Sequence, residues 1–155
     1  MKTLILKLAI TVTAGSFLIS NSARAQILPP QKRAENVKIV QAPTLELAHD
    51  DLAILRWTTT NPRGDDEHFA VAHYGTDPGN LSQTAKSHIR LNRNHPETIF
   101  RVRLTGLKPQ TTYYYWVTSM DSSGTNDGVK STVCQFTTPA PGKRVINYPN
   151  QRNGS

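Results

Sequence analysis

What most constrains this chain is an alternation of apolar and polar residues with a period of two, and the lack of any apolar repeat with a helical period. Phe100, Val102 and Leu104 alternate with Arg101 and Arg103, and Ala53, Leu55 and Trp57 share one face of another run. Successive side chains of a strand point to opposite faces, so each run predicts a half-buried strand with one wet side. The runs are Val37 to Val40 continuing into Leu45 to Ala48, Leu52 to Thr58, His68 to Tyr74, Leu81 to Ala85, Ile99 to Leu104, Thr111 to Ser119 and Lys130 to Thr137. Turn residues separate them. Seven short strands in roughly a hundred residues predict an all-β, two-sheet sandwich.

The flanks read differently. Met1 to Lys7 carry Lys2 and Lys7 without an acid, Leu8 to Ile19 form an apolar run too short to span a bilayer, and Ala23-Arg24-Ala25 supplies the small residues of a cleavage site. Residues 1–25 are therefore expected to be a secretory signal peptide cut before Gln26, which places the protein in the periplasm or outside the cell. Residues 26–35, with Pro29-Pro30, read as an extended lead-in. Residues 36–138 form the expected domain. Pro139-Ala140-Pro141-Gly142 breaks the last strand, and residues 139–155 read as a polar tail. With 155 residues the chain has room for one ordinary domain, which excludes a large catalytic fold.

Loss of the leader removes Lys2, Lys7 and Arg24, so the formal charge of +7 falls to +4. The remaining cations are scattered, with no run dense enough to track a phosphate backbone, and no nucleic-acid partner is expected. No integral membrane segment is expected after leader removal. The single cysteine, Cys134, alternates in phase with Phe136 and reads as a buried small hydrophobe, a reactive or intermolecular thiol being the alternative.

The most specific stretch runs from Leu104 through Gly106, Leu107, Pro109 and Thr111 to Tyr113 and Val117. Leu107 anchors a strand end, Pro109 fixes a turn, and Tyr113 sends its hydroxyl back to the backbone of that corner, as in Greek-key sandwiches. Trp57 is the largest hydrophobe available to the core. On these residues, together with Trp57-Thr58-Thr59, Tyr74-Gly75-Thr76 and Phe136-Thr137-Thr138, the sequence resembles the fibronectin type III fold and, more closely, the N-terminal domain of purple acid phosphatases. The resemblance spans Asn36 to Thr138. It implies a seven-stranded immunoglobulin/fibronectin type III-like Greek-key sandwich that carries no metal ligands and plays an accessory role.

No catalytic residues are expected. A dimetal phosphatase needs Asp-x-His, Gly-Asp-x-x-Tyr and Gly-Asn-His motifs, because two metals share bridging ligands. None is present: Asn94-His95-Pro96-Glu97 and Gly64-Asp65-Asp66-Glu67-His68 are echoes that lack required neighbours. Neither a metal nor a cofactor is expected. His49, His68, His73, His88 and His95 lack metal-ligand spacing and read as surface histidines. Asp65, Asp66, Glu67, Asp121 and Asp127 match no calcium loop and read as solvated turn acids.

Two candidate binding surfaces remain. The resemblance implies that Thr59 to Glu67, Asn92 to Glu97 and Asp121 to Val129 gather at one pole. The first of these contains Arg63-Gly64-Asp65, a tripeptide that engages integrins in some such domains, though usually from another loop. The second surface is a sheet face. With Tyr113, Tyr115 and Val117 inward, Tyr114 and Trp116 point out, and Phe69 and Val71 alternate with Ala70 and Ala72. Phe69, Val71, Tyr114 and Trp116 are then either an exposed docking strip or are covered by the lead-in and the tail. The expected function is a secreted, non-catalytic interaction module whose partner is a protein or a surface polymer. The alternatives are an accessory domain of a separate metallophosphatase and a structural subunit of a surface assembly.

Overall fold

Alternation of this kind is stable only if the apolar sides of two sheets meet. The structure, a computed structural model, describes residues 31–147. It contains β1 (Ile39–His49), β2 (Leu52–Thr60), β3 (Glu67–Gly75), β4 (Gln83–Arg90), β5 (Glu97–Thr105), β6 (Thr112–Asp121), β7 (Cys134–Thr137) and β8 (Arg144–Ile146). One sheet has the order β5-β2-β1-β8 and the other β4-β3-β6-β7, and all pairings are antiparallel. The chain crosses between sheets after β2, β4 and β5, which is the Greek-key path, and returns to the first sheet after β7. The expected leader, and those parts of the lead-in and tail beyond residues 31–147, lie outside the described residues.

Ala53, Leu55 and Trp57 from β2, Phe100, Val102 and Leu104 from β5, Ala70, Ala72 and Tyr74 from β3, and Tyr113, Tyr115 and Val117 from β6 form the interior. Trp57 is fully buried and stacks on Phe100 at 5.5 Å between ring centroids. Removing such a side chain costs about 3–5 kcal/mol through lost transfer energy and a cavity. The Tyr113 hydroxyl accepts the Lys108 amide at 2.9 Å. Thr138 Oγ1 secures the same corner, donating to the Lys108 carbonyl at 2.6 Å and accepting the Thr111 amide at 3.0 Å. Gly106 (φ 70°) and Gln110 (φ 48°) turn the chain there, and the Cβ of Gln110 is tolerated where glycine is the easier choice.

The strands differ from the expected set in three places. There are eight rather than seven: β8 comes from the polar segment after Pro139, where Val145 and Ile146 pair with Ala48 and Leu47. Three residues are too short to show a period, which is why the pattern missed them. β4 starts at Gln83 and runs on to Arg90, because pairing with β3 over its whole length outweighs its polar composition. Residues 130–133 are not strand, and Ser131 instead bonds the backbone of Val117. Cys134 is half-buried and packs against the core from the side, less enclosed than expected.

Candidate functional site

The pole is built from backbone bonds first. Asn61 Nδ2 donates to the carbonyls of Asn92 (2.9 Å) and His95 (2.8 Å), and the Leu91 amide donates to the Asp66 carbonyl at 2.8 Å. These bonds join the first two expected loops. Ser122 Oγ donates to Asp65 and brings in the third. Arg93 pairs with Asp66. Arg63 lies exposed with φ 55°, and Gly64 sits beneath Arg33 with φ 78°.

Arg33 closes this pole. Its guanidinium reaches the Asp121 carboxylate (3.2 Å), the carbonyls of Thr125 (3.1 Å) and Asn126 (2.5 Å), and the Asp127 carboxylate (2.8 Å). Asp127 also accepts from Ser119 Oγ at 2.7 Å and faces His68 Nε2 at 3.3 Å. This corrects two expectations. Asp127 is a buried carboxylate rather than a solvated turn acid, and His68 is fully enclosed rather than on the surface. Both are sheltered because β3 and β6 end together there and Arg33 lies across the opening. Among the described residues no three His, Cys, Asp or Glu side chains are grouped as a metal would require.

The outer face of β4-β3-β6-β7 carries the expected strip, with one correction. Phe69, Tyr114 and Trp116 are half-buried, but Val71 is only 2% exposed. Lys86 lies opposite Val71 in the register and bends over the Phe69 ring, its Nζ 4.1 Å from the ring centroid. His73 stacks on Trp116 at 3.9 Å and 12°, and Lys130 Nζ lies 4.4 Å from the same indole centroid. His73 reaches the indole from β3 on one side of β6, and Lys130 from the segment that Ser131 bonds to Val117 on the other side, so the two groups flank the ring. The described parts of the lead-in and tail do not cover the strip: Arg33 goes to the pole and β8 to the other sheet. Burial of the imidazole, helped by the charge of Lys130, pushes the His73 pKa below its ordinary value.

The opposite outer face is different in kind. Arg101 makes two bonds to Glu46, at 2.7 and 3.0 Å, and Arg56 and Thr58 both donate to Gln41 Oε1. The hydrogen bond from Arg101 holds the Glu46 carboxyl below the usual range. Between the two sheets, along β1 and β7, a groove of about 630 Å³ is lined by Pro43, Thr44, Leu45, Tyr115, Cys134 and Gln135. Burial raises the Tyr115 phenol, whose hydroxyl donates to the Pro43 carbonyl at 3.4 Å. Of the described residues, no helix is long and apolar enough to cross a membrane.

Period two marked Phe69, Tyr114 and Trp116, but gave no sign of the cations above them. His73 was visible only as a strand residue, Lys86 lay just past the expected end of its strand, Lys130 opened an expected strand that starts only at Cys134, and Arg33 reaches its partners across folds that no local pattern encodes.

Comparisons with known proteins give likenesses to solved structures and one family. The sensor domain of the anti-sigma factor RsgI4 of Pseudobacteroides cellulosolvens is 21% identical, with 68% of this chain and 76% of that chain covered and a TM-score of 0.47. A shorter version of that sensor domain is 23% identical, with 67% and 95% covered and a TM-score of 0.47. The fn3 domain of human contactin 1 is 16% identical, with 90% and 99% covered and a TM-score of 0.38. No curated protein matches the chain. The profile of the purple acid phosphatase N-terminal domain matches residues 40–138. That span runs from β1 to the threonine that locks the tyrosine corner and takes in every strand but β8, and the chain belongs to the purple acid phosphatase N-terminal domain family.

Proposed function

We propose that the chain is a secreted, non-catalytic interaction module that docks a partner through the outer face of β4-β3-β6-β7, with Phe69, Tyr114 and Trp116 as the contact residues and Val71 beneath them. The observation that carries this reading is the concentration of three half-buried aromatics on one sheet face that the described parts of the arms leave uncovered. Aromatic side chains bring large contact area at low entropic cost, and sets of this kind mark docking surfaces. The loop pole with Arg63, Gly64 and Asp65 is the lesser candidate, because Gly64 lies under Arg33 and Asp65 is engaged by Ser122.

The test is affinity capture from the native extracellular fraction with the full chain and with a Tyr114→Ser/Trp116→Ser variant, the folding of both being checked by circular dichroism. Loss of the captured partner with the fold intact supports the face. Unchanged capture overturns it. A second reading, an accessory role beside a metallophosphatase on another polypeptide, is favoured by the family match over residues 40–138. It expects the partner to be that phosphatase. An assay with iron, zinc or manganese checks the non-catalytic assignment, and turnover by the purified chain alone would overturn it. Light scattering at increasing concentration separates either reading from a self-assembling subunit.

A further inference from the structure

Beyond Glu67, the strands of the β4-β3-β6-β7 sheet contain no acidic side chain until Asp121, which turns inward to Arg33. The basic side chains on the same face are Lys86, Lys130, His73, His88 and Arg90. At the Glu67 end, His88 is engaged by Glu67, and Arg90 lies 4.0 Å from Asp66 and Glu67. Lys86 and Lys130 are exposed and lie over aromatic rings rather than against carboxylates. A ring face attracts an ammonium without neutralising it. It also restricts a long side chain whose rotamer freedom would otherwise have to be given up on binding. The rings thus act as seats that hold two charges in place and leave them chargeable by a partner.

We propose that this face receives an extended acidic peptide segment, with Lys86 and Lys130 as the cations that meet its carboxylates; the proposal rests on the reading that this face is the docking surface. Three observations select that partner chemistry. The unpaired charge of the face is positive, so a complementary partner is acidic. Lys86 sits over Phe69, and Lys130 over the indole stacked on His73, four residues further along β3. At about 3.4 Å per residue the two seats are roughly 14 Å apart, the spacing of carboxylates four residues apart on an extended chain. A pyranose ring, by contrast, needs an open aromatic face to lie on. The widest ring here has none, since His73 and Lys130 occupy both sides of Trp116. Half-buried Tyr114 and Met120 supply apolar contact along the strip.

The experiment uses the full chain and a fluorescent twelve-residue peptide with Glu at every fourth position in a Ser/Gly background, read by anisotropy at low and high salt. Binding that weakens steeply with salt, and by about tenfold or more in a Lys86→Glu/Lys130→Glu variant, is the expected result. No binding, or equal binding by the variant, overturns the proposal. An oligouronate, or vesicles of anionic lipid, that bind the chain more tightly than the peptide also overturn it in favour of those partners. The capture experiment separates this proposal from the reading beneath it. A partner lost with Tyr114→Ser/Trp116→Ser but kept with Lys86→Glu/Lys130→Glu leaves the face standing and removes the acidic partner, whereas a partner kept by both variants removes the face itself.

Discussion

The two outer faces of this sandwich both carry cations, yet they treat them in opposite ways. On β5-β2-β1-β8 the guanidinium of Arg101 is bound twice by Glu46, and Arg56 is tied to Gln41. On β4-β3-β6-β7 the ammonium groups of Lys86 and Lys130 rest on Phe69 and Trp116. On the first face the Arg101–Glu46 pair cancels its charge within the sheet, with a planar donor matched to a planar acceptor. The second holds charge in position without cancelling it. A cation paired in the first way has little to gain from a charged partner, whereas one held in the second way gains from any complementary one.

The contrast can be broken by substitution. The largest expected effect is at Trp116→Ala, which removes the stack on His73 and the seat of Lys130 together. We expect a loss of about 2 kcal/mol in denaturant unfolding. Arg101→Ala, on the other face, is expected to cost no more than about 1 kcal/mol, because the guanidinium side chain is half exposed and water screens its pair. Equal losses for the two variants would show that the faces are not built differently.

Acid sharpens the comparison, since each face answers in its own pH window. The unfolded His73 takes up a proton near the ordinary histidine value of 6.5, while burial makes the folded imidazole resist it. Stability is therefore full above about pH 6.5 and falls with pH until the lowered folded value is passed. His73→Gln is expected to flatten the melting temperature between pH 7.5 and 5.5, and a slope as steep as that of the parent would contradict it. The smallest effect belongs to Glu46, whose folded carboxyl lies below the ordinary glutamate value of 4.5. Its contribution is present above about pH 4.5 and is lost as pH falls through the folded value. Glu46→Gln should remove that component of acid unfolding and leave the step near neutrality unchanged, which titrating both variants by near-ultraviolet circular dichroism will check.

Much of the fold was legible because the residues that decide it act locally. Period two gave the inward set around Trp57, and the Leu107–Pro109–Tyr113 spacing encodes a corner whose hydroxyl bond spans five residues. The site was legible only in part. The alternation of Phe69 and Val71 with Ala70 and Ala72 said that an apolar set faces outward, but not that Lys86 would bend over Phe69 or that Val71 would be covered. Arg33 is 94 residues from Asp127, and its partners are fixed only after β3 and β6 have paired. β8 escaped because three residues cannot declare a period.

The guanidinium at position 33 also sets where this domain begins in practice. A fragment trimmed to start at residue 40, where the family profile starts, would lack the group that bridges Asp121 and Asp127. It would leave an enclosed carboxylate without its counter-ion at the mouth of the sandwich. Boundaries drawn from strand pattern alone therefore leave out an arginine whose ion pairs tie the segment before β1 to the mouth of the sandwich.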